Sequence, residues 1–142
     1  MKENFDFLMP SANFFGKGVI KKIGDRAKML NMKKPLIVTG KVLEGMENGP
    51  VTQTLDSLKA AGVDYVIFDG VEPNPKIRNI QAAKKMYLDN KCDSIITVGG
   101  GSSHDCGKGT GIILTNGDDI TKLAGIETLE NPLPPLMAVN TT

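Results

Sequence analysis

Apolar residues gather in three short runs that polar positions do not interrupt: PLIVTG at 35–40, DYVIFDG at 64–70 and SIITVGGG at 94–101. Each is rich in β-branched or aromatic residues and each contains a closing glycine. Runs of this length, apolar on both sides, read as strands buried inside a parallel sheet. Between them the period changes. Val51, Leu55 and Leu58 share a face over 51–61, and Ile77, Ile80, Ala83 and Tyr87 share one over 77–88, which predicts two amphipathic helices. A small-residue helix is expected from Ser102 to Leu114, and a last strand, Leu136 to Val139, after the turn-rich ETLENPLPP.

Strand, helix, strand, helix, strand is the pattern of an α/β, doubly wound fold: a mostly parallel sheet with helices on both faces. Ahead of it, 5–8 and 13–15 are extended runs broken by Pro10-Ser11. They predict a short N-terminal β-hairpin, followed by a helix over 19–30. No repeat, low-complexity tract or linker divides the chain, so residues 1–142 are expected to form one domain. A domain of ~150 residues buries roughly 68–70% of its unfolded surface, enough for a sizeable core.

Composition narrows the chemistry. With 40% hydrophobic and 23% charged residues and a net charge of +1, nothing draws the chain toward nucleic acid or an anionic membrane. No stretch approaches the ~20 apolar residues of a membrane span, and the start, with Lys2, Glu3 and Asp6, lacks a signal-peptide core. A cytoplasmic location is expected. Cys92 and Cys106 fit neither a disulfide framework nor a CxxC motif and are expected as buried free thiols. His104 is the only histidine, which rules out a metal site built from several imidazoles of this chain.

The candidate chemistry lies at Gly99-Gly100-Gly101-Ser102. Glycines after a buried strand allow positive φ and close approach of a ligand, and the following helix offers unpaired N–H groups with the positive end of its dipole. Such a turn suits a phosphate or pyrophosphate; it equally suits a tight turn capped by Ser102 or Ser103. The common nucleotide motifs do not match. His104 stands where GxGxxG needs its third glycine, and the acidic residue expected ~20 positions on would fall in the Gly117-Asp118-Asp119 turn. Lys108 is followed by Gly109 rather than by the Ser or Thr of a P-loop. Asp105 and Lys108 share a helix face, so Asp105 is either half of a surface ion pair or a carboxylate near a bound cofactor.

Four segments together, FFGKG at 14–18, VEPNP at 71–75, GGGSSHDCGK at 99–108 and PLMAVNTT at 135–142, resemble the N-terminal domain of iron-containing alcohol dehydrogenases. The methanol, 1,3-propanediol and lactaldehyde-type members are nearest in appearance, and the resemblance covers essentially the whole chain. It implies an NAD(P)-binding domain. In the family a C-terminal helical domain holds Fe²⁺ and completes the interconversion of primary alcohols and aldehydes. The chain is therefore expected to be a truncated, cofactor-binding half, inactive alone, with a dinucleotide as partner and a tendency to form homo-oligomers. The resemblance places Gly101 and Ser102 on the pyrophosphate, with Gly99 and Gly100 shaping the turn. It places Asn74 beside the adenosine half, Thr141 and Thr142 at the cofactor from the last strand, and Asp105 at the family's acidic position.

One position departs from the family pattern. Many members end the first strand in Thr-Asp, whose carboxylate binds the adenosine ribose; here the pair is Thr39-Gly40. Loss of that carboxylate removes the group that favours NAD over NADP, and Lys41 next to it attracts a phosphate, so relaxed choice or NADP preference is expected. Two other readings remain: a nucleotide domain of a glycerol dehydrogenase or dehydroquinate synthase relative, and a non-catalytic nucleotide-binding remnant.

Overall fold

A computed structural model describes residues 11–123 and 129–142. Four parallel strands, β1 (Pro35–Val38), β2 (Val66–Phe68), β3 (Ser94–Gly99) and β4 (Leu136–Asn140), form one sheet in the order β2-β1-β3-β4. The two central strands are apolar on both sides because both faces are covered. Leu36, Val38 and Ile95 pack with Phe68, Ile80, Ala83, Tyr87, Cys106 and Ile113 under α4 (Ile77–Asp89) and α5 (Gly101–Asn116). Ile37, Ile96 and Val98 pack with Ile23, Ala27, Val51 and Leu58 under α1 (Ile23–Met29) and α3 (Pro50–Ala60). Burying one such aliphatic side chain stabilises the fold by roughly 1.5–3 kcal/mol.

Register is fixed at the sheet's entry by Asp93. Its carboxylate accepts the backbone N–H groups of Lys33 at 2.8 Å and Lys34 at 3.1 Å and the Ser94 hydroxyl at 2.6 Å, tying the starts of β1 and β3 together. Helix boundaries follow local chemistry: Pro50 opens α3 at a position whose N–H needs no partner, and Gly62, at φ +71°, closes it.

The glycine-rich helix α5 packs tightly on β3 at one position and on α4 at another. A Cβ on Gly107 would overlap the Thr97 methyl, and one on Gly109 would stand 2.6 Å from Ile80 Cδ1. Glycine is therefore a packing requirement at both positions.

Several local expectations need correction. The first half of the hairpin, 5–8, lies outside the described residues; 13–15 is not a strand. Phe14 instead turns its ring to the cations of Lys22 and Arg26, 5.2 and 5.0 Å from the centroid. The helix over 19–30 is a 3₁₀ turn, Val19–Lys22, running into α1. Ile77 is 48% exposed although Ile80, Ala83 and Tyr87 of its helix are buried, because it sits at the first position of α4, beyond the sheet's cover. A further short helix, α2 (Lys41–Glu44), follows β1 directly.

Candidate functional site

The order of strands decides where a ligand fits. From β1 the chain crosses through α3 to β2 on one side; from β3 it crosses through α5 to β4 on the other. The carboxyl ends of β1 and β3 are therefore where the winding reverses, the place at which open α/β sheets leave a crevice. Thr39-Gly40 and Gly99-Gly100 occupy those ends. A cleft of about 430 Å³ opens there, lined by Gly40, Lys41, Val42 and Leu43, by Asp69, Gly70, Val71, Glu72 and Pro73, and by Ser102 and Ser103.

The glycine turn leads into Ser102 and Ser103 of this lining. Gly99 takes φ +147°, and a Cβ there would run into the Ser103 side chain. Gly100 is the N-cap of α5 and has no side chain to satisfy the first turn, so the N–H groups of Gly101, Ser102 and Ser103 lack intrahelical acceptors. Neither serine is the N-cap expected of a plain capped turn. A Cβ on Gly101 would meet nothing within 4 Å, so space lies open before this sixteen-residue helix. Open donors, positive dipole and absent side chains fit an anion such as a pyrophosphate.

Asn74 comes to the same place from the loop after β2. It takes φ +54°, and its N–H donates to Ser102 Oγ at 3.3 Å. That loop is held from behind. Arg78 grips Glu72 through Nε (3.1 Å) and Nη2 (2.6 Å), and the buried Asn79 donates to Glu72 Oε2 at 2.9 Å and to the Gly70 carbonyl at 3.1 Å. Asn79 also accepts the Lys76 N–H at 2.9 Å. Hydrogen bonds from Arg78 and Asn79 hold the Glu72 carboxyl down at about 2.

Thr141 and Thr142 reach the turn from β4. The Thr141 N–H donates to the Gly99 carbonyl at 3.0 Å, and Thr142 Cγ2 stands 3.2 Å from where a Gly100 Cβ would be. Asp105 is exposed outside the lining of the cleft and forms no ion pair with Lys108, so the surface-pair alternative is not realised. Asp118 and Asp119 sit in surface pairs with Lys84 and Lys122, away from the cleft.

Two residues here escaped the sequence reading. Asp69 lines the cleft one strand beyond Gly40 and has no hydrogen-bond or ion-pair partner among the described residues. Thr39 Oγ1 is the one buried side-chain polar atom there without a partner among the described residues, immediately before Gly40. Among those residues no three His, Cys, Asp or Glu side chains converge as metal donors. No helix among them is long and apolar enough to cross a membrane.

A family profile described as iron-containing alcohol dehydrogenase matches residues 10–142. The chain is 54% identical over 138 residues to 1,3-propanediol dehydrogenase of Citrobacter freundii, covering 97% of this chain and 36% of that protein. It is 35% identical over 131 residues to lactaldehyde reductase of Escherichia coli, covering 91% and 34%. Among solved structures, an alcohol dehydrogenase from Oenococcus oeni superposes with a TM-score of 0.92 at 73% identity, covering 98% of this chain and 36% of that one. The chain thus spans little more than a third of the length of these relatives.

Proposed function

The chain belongs to the iron-containing alcohol dehydrogenase family, and from that premise we propose that it holds a dinucleotide cofactor, NAD or NADP, for the interconversion of primary alcohols and aldehydes. The observation that carries this reading is the meeting of the Gly99–Ser103 turn, the Gly40–Leu43 segment and Asn74 at the reversal of winding in the sheet. A bound nicotinamide would supply hydride exchange with the substrate carbon. The residues of this chain bind and orient: the N–H groups of Gly101 and Ser102 take the pyrophosphate, Gly99 and Gly100 let it approach, and Ser102 together with Asn74 closes the adenosine side. Thr141 and Thr142 border the opposite side, and Asp105 stands outside on the helix.

Because the described residues offer no set of metal donors, the 142-residue chain is expected to bind cofactor without alcohol turnover. Calorimetric titration with NAD and NADP tests the reading. Gly101→Val has room in the fold yet puts methyl groups before the helix N-terminus, so it should abolish binding while leaving the melting temperature unchanged. Equal binding by wild type and variant would refute the assignment.

Gly40 leaves the first strand without a carboxylate, Arg78 and Asn79 occupy Glu72, and Lys41 stands in the cleft. This balance supports relaxed choice between NAD and NADP, with Asp69 the remaining unpartnered carboxylate on that wall.

A further inference from the structure

We propose that His104 is a positioning residue of this cleft: through the Asn140 side chain it sets where Thr141 and Thr142 stand against the glycine turn. The inference rests on the reading that these threonines border the cofactor. His104 lies in the first turns of α5, half-buried and outside the lining of the cleft. Its Nδ1 is 2.8 Å from Thr97 Oγ1 on β3, and its Nε2 is 3.3 Å from Asn140 Oδ1 at the end of β4.

The direction of each bond follows from the last one in the chain. Asn140 Nδ2 donates to the Thr142 carbonyl at 2.7 Å, which turns Oδ1 back toward the helix as an acceptor. Oδ1 accepts the Thr142 hydroxyl at 3.2 Å and, on its other side, faces the imidazole. His104 must therefore carry a proton on Nε2. In the neutral ring the Nδ1 lone pair is then free to accept the Thr97 hydroxyl, whose other contact, the Met137 carbonyl, is more distant at 3.4 Å.

One imidazole thus joins β3, α5 and the end of β4. The backbone bond from Thr141 to Gly99 fixes the height of the β4 end; the Asn140 amide fixes its rotation. Without the Nε2 donor, Asn140 loses the partner that holds its oxygen toward the helix, and its amide and Thr142 can turn together. Thr142 would then lose its set position beside Gly100, whose missing side chain leaves the room that Thr142 occupies next to the open start of the helix.

The test is titration of the 142-residue chain with NADH and with NADPH, followed by ligand fluorescence, for wild type, His104→Ala and His104→Gln, with melting temperatures measured in parallel. Ring ¹⁵N spectra of wild type report the tautomer. The proposal expects the neutral ring protonated on Nε2, a loss of affinity of about tenfold in His104→Ala, and recovery of most of it in His104→Gln, whose amide can still donate to Asn140. A ring protonated on Nδ1 overturns it. Unchanged affinity in His104→Ala also overturns it, as does an equal loss in both variants that follows their loss of stability. If wild type binds neither NADH nor NADPH, the cofactor reading fails and this inference fails with it. Binding by wild type with an indifferent His104 removes the inference alone.

Discussion

At the scale of single residues, the charges around the cleft make two measurable statements. Glu72 titrates at about 2 because Arg78 and Asn79 hydrogen-bond its ionised form. A carboxyl lowered in this way contributes order to the 70–76 loop above its ordinary value of 4.5, and that contribution is lost as pH falls through about 2. A carboxyl ¹³C titration should give a midpoint near 2 in wild type and one moved back toward 4.5 in Arg78→Ala; an ordinary midpoint in wild type would show that the grip is absent in solution. Gly40→Asp makes the second statement. Gly40 has extended backbone at φ −104°, so aspartate is allowed, and its Cβ would stand 3.2 Å from the Val71 carbonyl, which must yield slightly. A carboxylate there repels a 2′-phosphate, by about 1 kcal/mol at 4 Å in water and about 4 in a partly shielded site. The ratio of NAD to NADP affinity should therefore rise by about tenfold or more, measured by calorimetry. An unchanged ratio would transfer the discrimination elsewhere, with Asp69 the first residue to replace. Nothing in the sequence singles out Asp69, because its nearness to Gly40 depends on β2 lying beside β1.

Elements were legible where their hydrophobic period was strong. The buried strands and the helices α3, α4 and α5 fall within a few residues of the pattern, since continuous burial and helical spacing leave few alternatives. What escaped were pieces whose form depends on a neighbour: α2, with only four residues, and Phe14, held by cations rather than by a paired strand. The glycine turn stood out as a candidate phosphate site only to the extent that the family pattern raised it, because donors at a helix start also occur in plain turns. Its packing role was hidden altogether. Among the glycines of α5, Gly107 is required by the closeness of β3, and opposite outcomes at Gly107 and Gly101 test this. Gly107→Ala gains about 1 kcal/mol of helix propensity but drives a methyl into Thr97, an overpacking that costs about 1–3 kcal/mol, more where neither side can yield. Both Thr97 and the helix backbone are fixed, so net destabilisation by denaturant unfolding is expected. Gly101→Ala meets open space and should be neutral or stabilising. Similar effects at both sites would mean that α5 stands off the sheet.

For the whole molecule, the all-parallel order has a consequence in time. Among the described residues no two neighbouring strands are joined by a hairpin, so each pairing closes a loop that contains a helix, and the central pairing joins Pro35 to Ser94 across α2, α3, β2 and α4. Such distant contacts carry their loop-closure entropy before they return any stabilisation, which makes folding slow. The helices have local contacts and can form early. The cleft, by contrast, exists only once β1, β2 and β3 lie side by side, because its lining comes from the segments that follow all three strands. In refolding from denaturant, far-ultraviolet ellipticity should therefore recover ahead of NADH binding. The polypeptide would pass through a helical but cofactor-blind stage, and the last property it acquires would be the proposed recognition of a nucleotide.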